Sequence, residues 1–163
     1  MQKSSMKINN NSLKSAILVL GIVLFALFIS RYYYQVMIIH GDSMEPAYHS
    51  GEFVFLDKRI KNIETRDVIA FNCTELNEVL VKRVVAGPKD NVLIRAGRLY
   101  VNGAIFEEYQ DKHFSYSGIL GERVELSDNQ YIVIGDNIES SKDSRYPEIG
   151  VIDLEDVIGV VIK

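Results

Sequence analysis

Fourteen consecutive residues, Ala16 to Ile29, read AILVLGIVLFALFI and carry no polar side chain. Such a run must be buried in a core, placed in a bilayer or removed by cleavage. Fourteen is short for a span, which needs about 20 apolar residues, and it is also the length of a signal-peptide core. The flanks decide between them. Ser15 and Ser30 extend the run with weakly polar residues, and Lys14 and Arg31 can snorkel their charges to an interface. Tyr32, Tyr33 and Tyr34 follow as an aromatic belt. From Ser12 to Tyr34 a helix would extend about 34 Å, enough to cross. Cleavage would require small residues at −1 and −3 behind the core, and Ser-Arg-Tyr-Tyr-Tyr is a poor site. The run is therefore expected to be an uncleaved anchor over residues 12–34.

Charge orients it. Residues 1–31 contain Lys3, Lys7, Lys14 and Arg31 and no acid, a head of +4. The whole chain is −4, so everything behind Arg31 carries −8. With the basic residues preceding the span, the tail, residues 1–11, is expected in the cytoplasm and residues 35–163 outside. The same balance excludes a chain-wide basic nucleic-acid binder. Composition, at 47% hydrophobic and 25% charged, excludes disorder and fibrous structure. A single cysteine, Cys73, excludes an internal disulfide and a Cys-rich zinc cluster.

Residues 35–163 read as strands. VMIIH (36–40), EFVFLD (52–57), DVIAF (67–71), EVLVKRVVA (78–86), NVLIRAGRLYVNG (91–103), QYIVIGD (130–136) and VIGVVIK (157–163) are rich in β-branched and aromatic residues. Turn residues separate them at His49-Ser50-Gly51, Gly87-Pro88, Ala96-Gly97 and Asn102-Gly103. No helical period is convincing after residue 35. The expected fold is mainly β: an antiparallel sandwich or open barrel behind one N-terminal transmembrane helix. A small accessory β and loop region is expected over about 88–130, polar and Gly-containing in its second half.

Hydrolytic chemistry needs a nucleophile and a group to take its proton. His40, His49 and His113 show no metal spacing, and no HExxH occurs. A triad of Ser43 with His40 or His49 is conceivable. So is a lysine base. A lysine is ordinarily a cation, but burial among apolar groups lowers its pKa by up to about 3–5 units. Lys82 lies in the apolar strand Val79-Leu80-Val81-Lys82-Arg83-Val84-Val85. Period-2 alternation puts either Lys82 or Arg83 inward and leaves open which. Ser43 stands in His40-Gly41-Asp42-Ser43-Met44-Glu45-Pro46, a Gly/Pro-punctuated turn. Such a turn can aim a hydroxyl and its own N–H at one point, as oxyanion stabilisation in acyl transfer requires.

Taken together, these segments resemble the boxes of bacterial type I signal peptidases. Gly41-Asp42-Ser43-Met44-Glu45-Pro46 is similar to the family's serine box (SMxP). Lys82-Arg83-Val84-Val85-Ala86-Gly87-Pro88-Lys89-Asp90 resembles the lysine box (KRVxGxPGD). Gly135-Asp136-Asn137-Ile138-Glu139-Ser140-Ser141-Lys142-Asp143-Ser144-Arg145 resembles GDNxxxSxDSR, and Asp67-Val68-Ile69-Ala70-Phe71 the GDxVxF strand. The boxes stand in family order behind an anchor.

The resemblance implies a membrane-bound Ser/Lys serine endopeptidase that removes signal peptides after small residues at −1 and −3. Ser43 would be the nucleophile and Lys82 the general base. Ser141 would orient the lysine by a hydrogen bond. Asp143 and Arg145 would pair to hold that loop, completed by Gly135, Asp136, Asn137 and Ser144. Met37, Ile39, Met44 and Val81 would line the substrate pocket. Neither metal nor cofactor is implied. The implied partners are preprotein signal peptides, the lipid bilayer and the secretion channel, with no nucleic acid. The implied location is the cell membrane, single-pass, with residues 35–163 as the extracytoplasmic catalytic domain. A signal-peptidase-like pilus assembly factor and a dedicated pilin-processing peptidase are the alternatives within the resemblance. The chain departs from the family pattern at Gly41, where some members have an oxyanion-assisting serine. Arg66 and Lys89 stand where the family has glycine, and Ile138-Glu139-Ser140 replaces Arg-Asp/Glu-Asn.

Overall fold

The computed structural model describes residues 10–60 and 62–162, and side chains from Leu13 onward. Two compact units meet at Tyr34 and Gln35. The first is a helix, α1 (Asn10–Tyr33). The expected tail, residues 1–11, lies outside the described residues except for Asn10 and Asn11, which already belong to this helix. The helix is apolar on every side, and Leu18, Phe25 and Phe28 are all more than 60% exposed. A helix apolar all round and unburied needs a non-aqueous surrounding. Leu13–Tyr33, with a mean hydropathy of 2.5, is long and apolar enough to cross a membrane.

The second unit is built from antiparallel strands, as expected from the sequence. They are β1 (Tyr34–Ile38), β2 (Phe53–Asp57), β3 (Val68–Cys73), β4 (Glu78–Ala86), β5 (Asn91–Arg95), β6 (Arg98–Val101), β7 (Ala104–Ile105), β8 (Val124–Glu125), β9 (Gln130–Ile134), β10 (Ile152–Asp153) and β11 (Val157–Ile162). Seven form one sheet in the order β1-β2-β11-β3-β4-β9-β10, and four form a second, β7-β6-β5-β8. The second sheet lies within Asn91–Glu125. The 91–103 run divides at Ala96 and Gly97, which take φ of 50° and 72°, and turns β5 back onto β6. The two-residue strands β7, β8 and β10 are too short to show a period-2 pattern in the sequence.

Strand β9 explains how the two sheets share one body. Tyr131 and Val133 pack into a cluster with Ile69, Phe71 and Val84, while Ile132 and Ile134 pack into another with Val92, Leu99 and Leu120. Both faces of β9 are buried, so it reads as a continuous apolar run. Its neighbour β4 carries a bulge. Val84 pairs with Val133, but Ala86 pairs with Ile132, leaving Val85 extra. Val84 therefore enters the first cluster, and Val85 and Ala86 enter the second.

A third cluster, Ile39, Met44, Tyr48, Val54 and Val68, lies under β1 and β2. Three strands stand between β1 and β4 in the large sheet. In a flat sheet, four spacings of about 4.8 Å would hold β1 and β4 about 19 Å apart. Yet Met37 and Ile38 of β1 line one cavity of about 60 Å³ with Val79, Val81 and Lys82 of β4. The sheet is therefore coiled, and that coiling brings β1 and β4 to one cavity.

Candidate active site

Ser43 sits in a turn whose ends are tied down. Ile39 N–H donates to Glu52 O (2.9 Å), Gly51 N–H to Ile39 O (2.8 Å) and Tyr48 N–H to Met44 O (3.0 Å). Ile39 and Met44, on either side of the serine, are buried. Gly41 enters the turn at φ 78°, a left-handed conformation that favours glycine. This gives a backbone reason for glycine where some family members carry serine.

Lys82 is the side chain of its strand pair that turns inward. It is 4% exposed, and it faces Ile69 across the β3–β4 ladder. Its Nζ donates to Ser43 Oγ at 2.8 Å and to the Val81 carbonyl at 3.0 Å. Burial holds its pKa below the ordinary lysine value, and Asp143 and Asp136 act in the opposite sense. A lysine that loses its proton readily, in contact with a hydroxyl, can accept the hydroxyl's proton.

Arg83 takes the other face of β4. Its Nε donates to Asp136 Oδ1 (2.7 Å), its Nη2 to Asp136 Oδ2 (2.5 Å) and its Nη1 to the Arg66 carbonyl (2.8 Å). This bidentate pair ties β4 to the loop after β9. Arg83 and Asp136 are thus a structural clamp directly behind the lysine.

The loop from Gly135 to Arg145 is packed with buried polar groups. Ser141, Asp143, Ser144 and Arg145 are each at most 3% exposed. Arg145 Nε and Nη2 donate to the two Asp143 oxygens (2.8 and 2.9 Å), and Nη2 also reaches the carbonyls of Ile138 and Ser141 (2.9 and 3.0 Å). Asp143 Oδ2 accepts from Gly135 N–H (3.1 Å). Ser144 is stitched to β9: Val133 N–H donates to its Oγ (2.9 Å), and its own N–H donates to the Val133 carbonyl (3.1 Å). Every charge in this knot has a partner, as burial at this depth demands. Asn137 N–H donates to the Ser43 carbonyl (3.0 Å), so the knot also holds the serine turn.

Ser141 is the exception. Its Oγ is buried without a hydrogen-bond partner, and no hydrogen bond joins it to Lys82. Its Oγ lies where a Cβ on Gly135 would stand, 2.3 Å away, so the two residues pack face to face. The hydrogen bond that the resemblance implied between Ser141 and Lys82 is therefore not made in this conformation.

Met37, Ile39, Met44 and Val81 line one cavity of about 60 Å³ with Ile38, His40, Val79, Ser43 and Lys82. A space of that size admits a small side chain. His40 is on its rim, while His49 pairs with Glu45 at the surface (3.3 Å). Lysine, not histidine, is thus the hydrogen-bonding partner of Ser43. Among the described residues no cluster of three or more His, Cys, Asp or Glu could hold a metal ion.

Sequence reasoning missed Ile38, His40 and Val79 as lining residues, and it considered Arg83 only as a rival to Lys82. The signal for Arg83 was present: a residue next to an inward lysine faces outward, where a loop carboxylate can reach it.

Residues 12–162 match a family model described as signal peptidase, peptidase S26. Signal peptidase I S of Bacillus subtilis (strain 168) is 33% identical over 159 residues, covering 86% of this chain and 84% of the relative. Signal peptidase I P of Bacillus subtilis subsp. natto is 30% identical over 156 residues, covering 89% and 83%. Among solved structures, a signal peptidase I from Enterococcus faecalis V583 matches with a TM-score of 0.52 and 24% identity. The match covers 64% of this chain and 100% of that one.

Proposed function

The chain belongs to the signal peptidase family, peptidase S26, and from that membership we propose that Ser43 and Lys82 form the catalytic dyad of a membrane-anchored signal peptidase. Membership makes the chain a peptidase that removes signal peptides. The observation that carries the finer reading is the 2.8 Å contact between Ser43 Oγ and a buried Lys82 Nζ.

In this reading, neutral Lys82 takes the proton from Ser43 as Oγ attacks the carbonyl carbon of the cleavage-site peptide. The Ser43 backbone N–H stabilises the oxyanion. The Lys82 ammonium then protonates the departing amine as the C–N bond breaks, leaving an ester on Ser43. Lys82, neutral again, takes a proton from water, and the resulting attack releases the signal peptide and restores the serine. Asp143, Arg145, Ser144, Gly135, Asp136 and Asn137 hold the loop against the dyad, and Ser141 packs against Gly135 within that loop. The small cavity lined by Met37, Ile39, Met44 and Val81 favours alanine-sized residues at −1 and −3.

Helix α1 anchors the chain in the bilayer, with its basic N-terminal side in the cytoplasm and the catalytic unit outside. Phe53 and Phe55, 66% and 54% exposed on β2, add apolar surface suited to lipid contact. Signal peptides emerging from the secretion channel are the substrates.

The test is cleavage of a preprotein by the detergent-solubilised full chain, beside Ser43→Ala and Lys82→Ala. Each variant is expected to lose nearly all turnover, because the two residues act as a unit. Undiminished cleavage by either variant overturns the dyad.

A further inference from the structure

We propose that Tyr109 is a positioning residue of the catalytic site, holding the Gly135–Asp136 corner through its hydroxyl, with Arg66 anchoring the turn that carries it. The inference rests on the Ser43/Lys82 reading and adds a residue that none of the sequence motifs contains.

Tyr109 lies in a single turn, Glu107–Tyr109, that follows the accessory strand β7. Its ring is 4% exposed, stacked against Phe106 (centroids 5.8 Å) and edge-on to Phe114 (5.7 Å). Its hydroxyl is 3.4 Å from both the Gly135 carbonyl and Asp136 Oδ1. One O–H facing two acceptors is a three-centre bond, and it bridges adjacent residues of the catalytic loop. Asp136 in turn receives Arg83, the strand neighbour of Lys82. Gly135 packs against Ser141 and the Ser43 carbonyl. The tyrosine therefore bears on both sides of the dyad through one corner. Phe114, from the same segment, lies under the Arg145 guanidinium at 5.4 Å.

Arg66 fastens the turn from the other direction. It takes φ 85°, a conformation that favours glycine, and its guanidinium pairs with Glu107 (3.3 Å) and Glu108. Its carbonyl accepts from Arg83 (2.8 Å). Keeping an arginine in a conformation suited to glycine makes sense if the side chain has work there. The ring Arg66–Glu108–Tyr109–Asp136–Arg83 closes on itself and links the accessory sheet to the dyad.

The experiment uses the detergent-solubilised full chain and a synthetic peptide with alanine at −1 and −3. The variants are Tyr109→Phe, Arg66→Gly and the double change. Tyr109→Phe keeps the ring in its aromatic cluster and removes only the hydroxyl. Its kcat is expected to fall about fivefold, the loss of one hydrogen bond, with KM within twofold and little change in Tm. The acid limb of the kcat profile should also move to higher pH. The groups around Lys82 are Asp136 and Asp143, their partners Arg83 and Arg145, the hydroxyls of Ser43 and Ser141, and His40 on the rim. Arg66, Glu107 and Glu108 surround the tyrosine's turn, and Tyr48 faces Arg83 and Asp136. Without the tyrosine's O–H, the Asp136 carboxylate acts more strongly on Lys82 and favours its ammonium. Arg66→Gly should lower kcat in the same sense but less, while Tm holds or rises because the strained conformation is relieved. The double variant should be no worse than Tyr109→Phe alone. A Tyr109→Phe enzyme with unchanged kcat and acid limb overturns the proposal, as do losses that multiply in the double variant. Cleavage surviving in Ser43→Ala or Lys82→Ala would instead remove the dyad reading beneath it.

Discussion

Replacing Gly135 by alanine should slow the enzyme while leaving both side chains of the proposed dyad and the cavity lining unchanged. A Cβ at Gly135 would lie 2.3 Å from Ser141 Oγ, 2.5 Å from the Ser43 carbonyl oxygen and 2.6 Å from Ser141 Cβ. The hydroxyl can rotate away. The Ser141 Cβ and the Ser43 backbone cannot, so the gap must open by about 0.5 Å on the serine side to reach even 3.0 Å. The Ser43 carbonyl also accepts the Asn137 N–H at 3.0 Å, so moving it strains a second loop bond. Overpacking of this kind costs about 1–3 kcal/mol of stability. A misplacement of about 1 Å costs on the order of a hundredfold in rate, so about half that displacement costs on the order of tenfold. Peptide cleavage at saturating substrate, with thermal unfolding alongside, is the assay. The expected result is kcat down by about tenfold and KM little changed, because Gly135 does not line the proposed substrate cavity. A Gly135→Ala enzyme with wild-type kcat would refute the claim that this contact sets the position of Ser43.

Two further outcomes follow from the same geometry. Lys82→Met removes a buried amine whose folded-state pKa is lowered by burial, so the unfolded chain binds that proton more readily than the folded one. The wild-type stability should therefore decline as pH falls from the ordinary lysine value of about 10.5 towards the folded value. The methionine variant should lose that slope and be the more stable protein at neutral pH, while being inactive; denaturant midpoints across pH measure this. Lys89→Gly relieves a left-handed φ of 68° where the family pattern has glycine, at the loss of an exposed contact with Asp128 (3.5 Å). The left-handed penalty of about 1–2 kcal/mol is partly offset by the extra unfolded-state freedom of glycine. Urea unfolding should show a gain of up to about 1 kcal/mol, with cleavage unchanged.

Much of the fold was legible because it depends on local pattern. The apolar run gave a helix, and the seven β-rich runs gave strands within a residue or two. The first differs most: β1 starts at Tyr34, two residues before the expected strand and directly after the helix. The aromatic belt is thus split, with Tyr33 ending α1 and Tyr34 opening β1. The short strands β7, β8 and β10 were not legible, because two residues carry no period and their pairing is set by the partner strand. The bulge at Val85 was equally hidden, since only the β9 register exposes the extra residue.

The site divides along the same line. Residue order alone suffices for the apolar N-terminal helix, the mainly β body and the family, since these rest on composition, periodicity and motif. Strand periodicity could not say which of Lys82 and Arg83 faces inward, because adjacent strand residues differ only in which face they take, and only packing assigns the faces. The coiled sheet decided it, carrying Ser43 across three intervening strands to Lys82 and leaving Arg83 for Asp136. The unbonded Ser141 hydroxyl and the approach of Tyr109 to Asp136 are likewise facts of tertiary packing. They join residues far apart in the chain, where no local spacing can encode a contact.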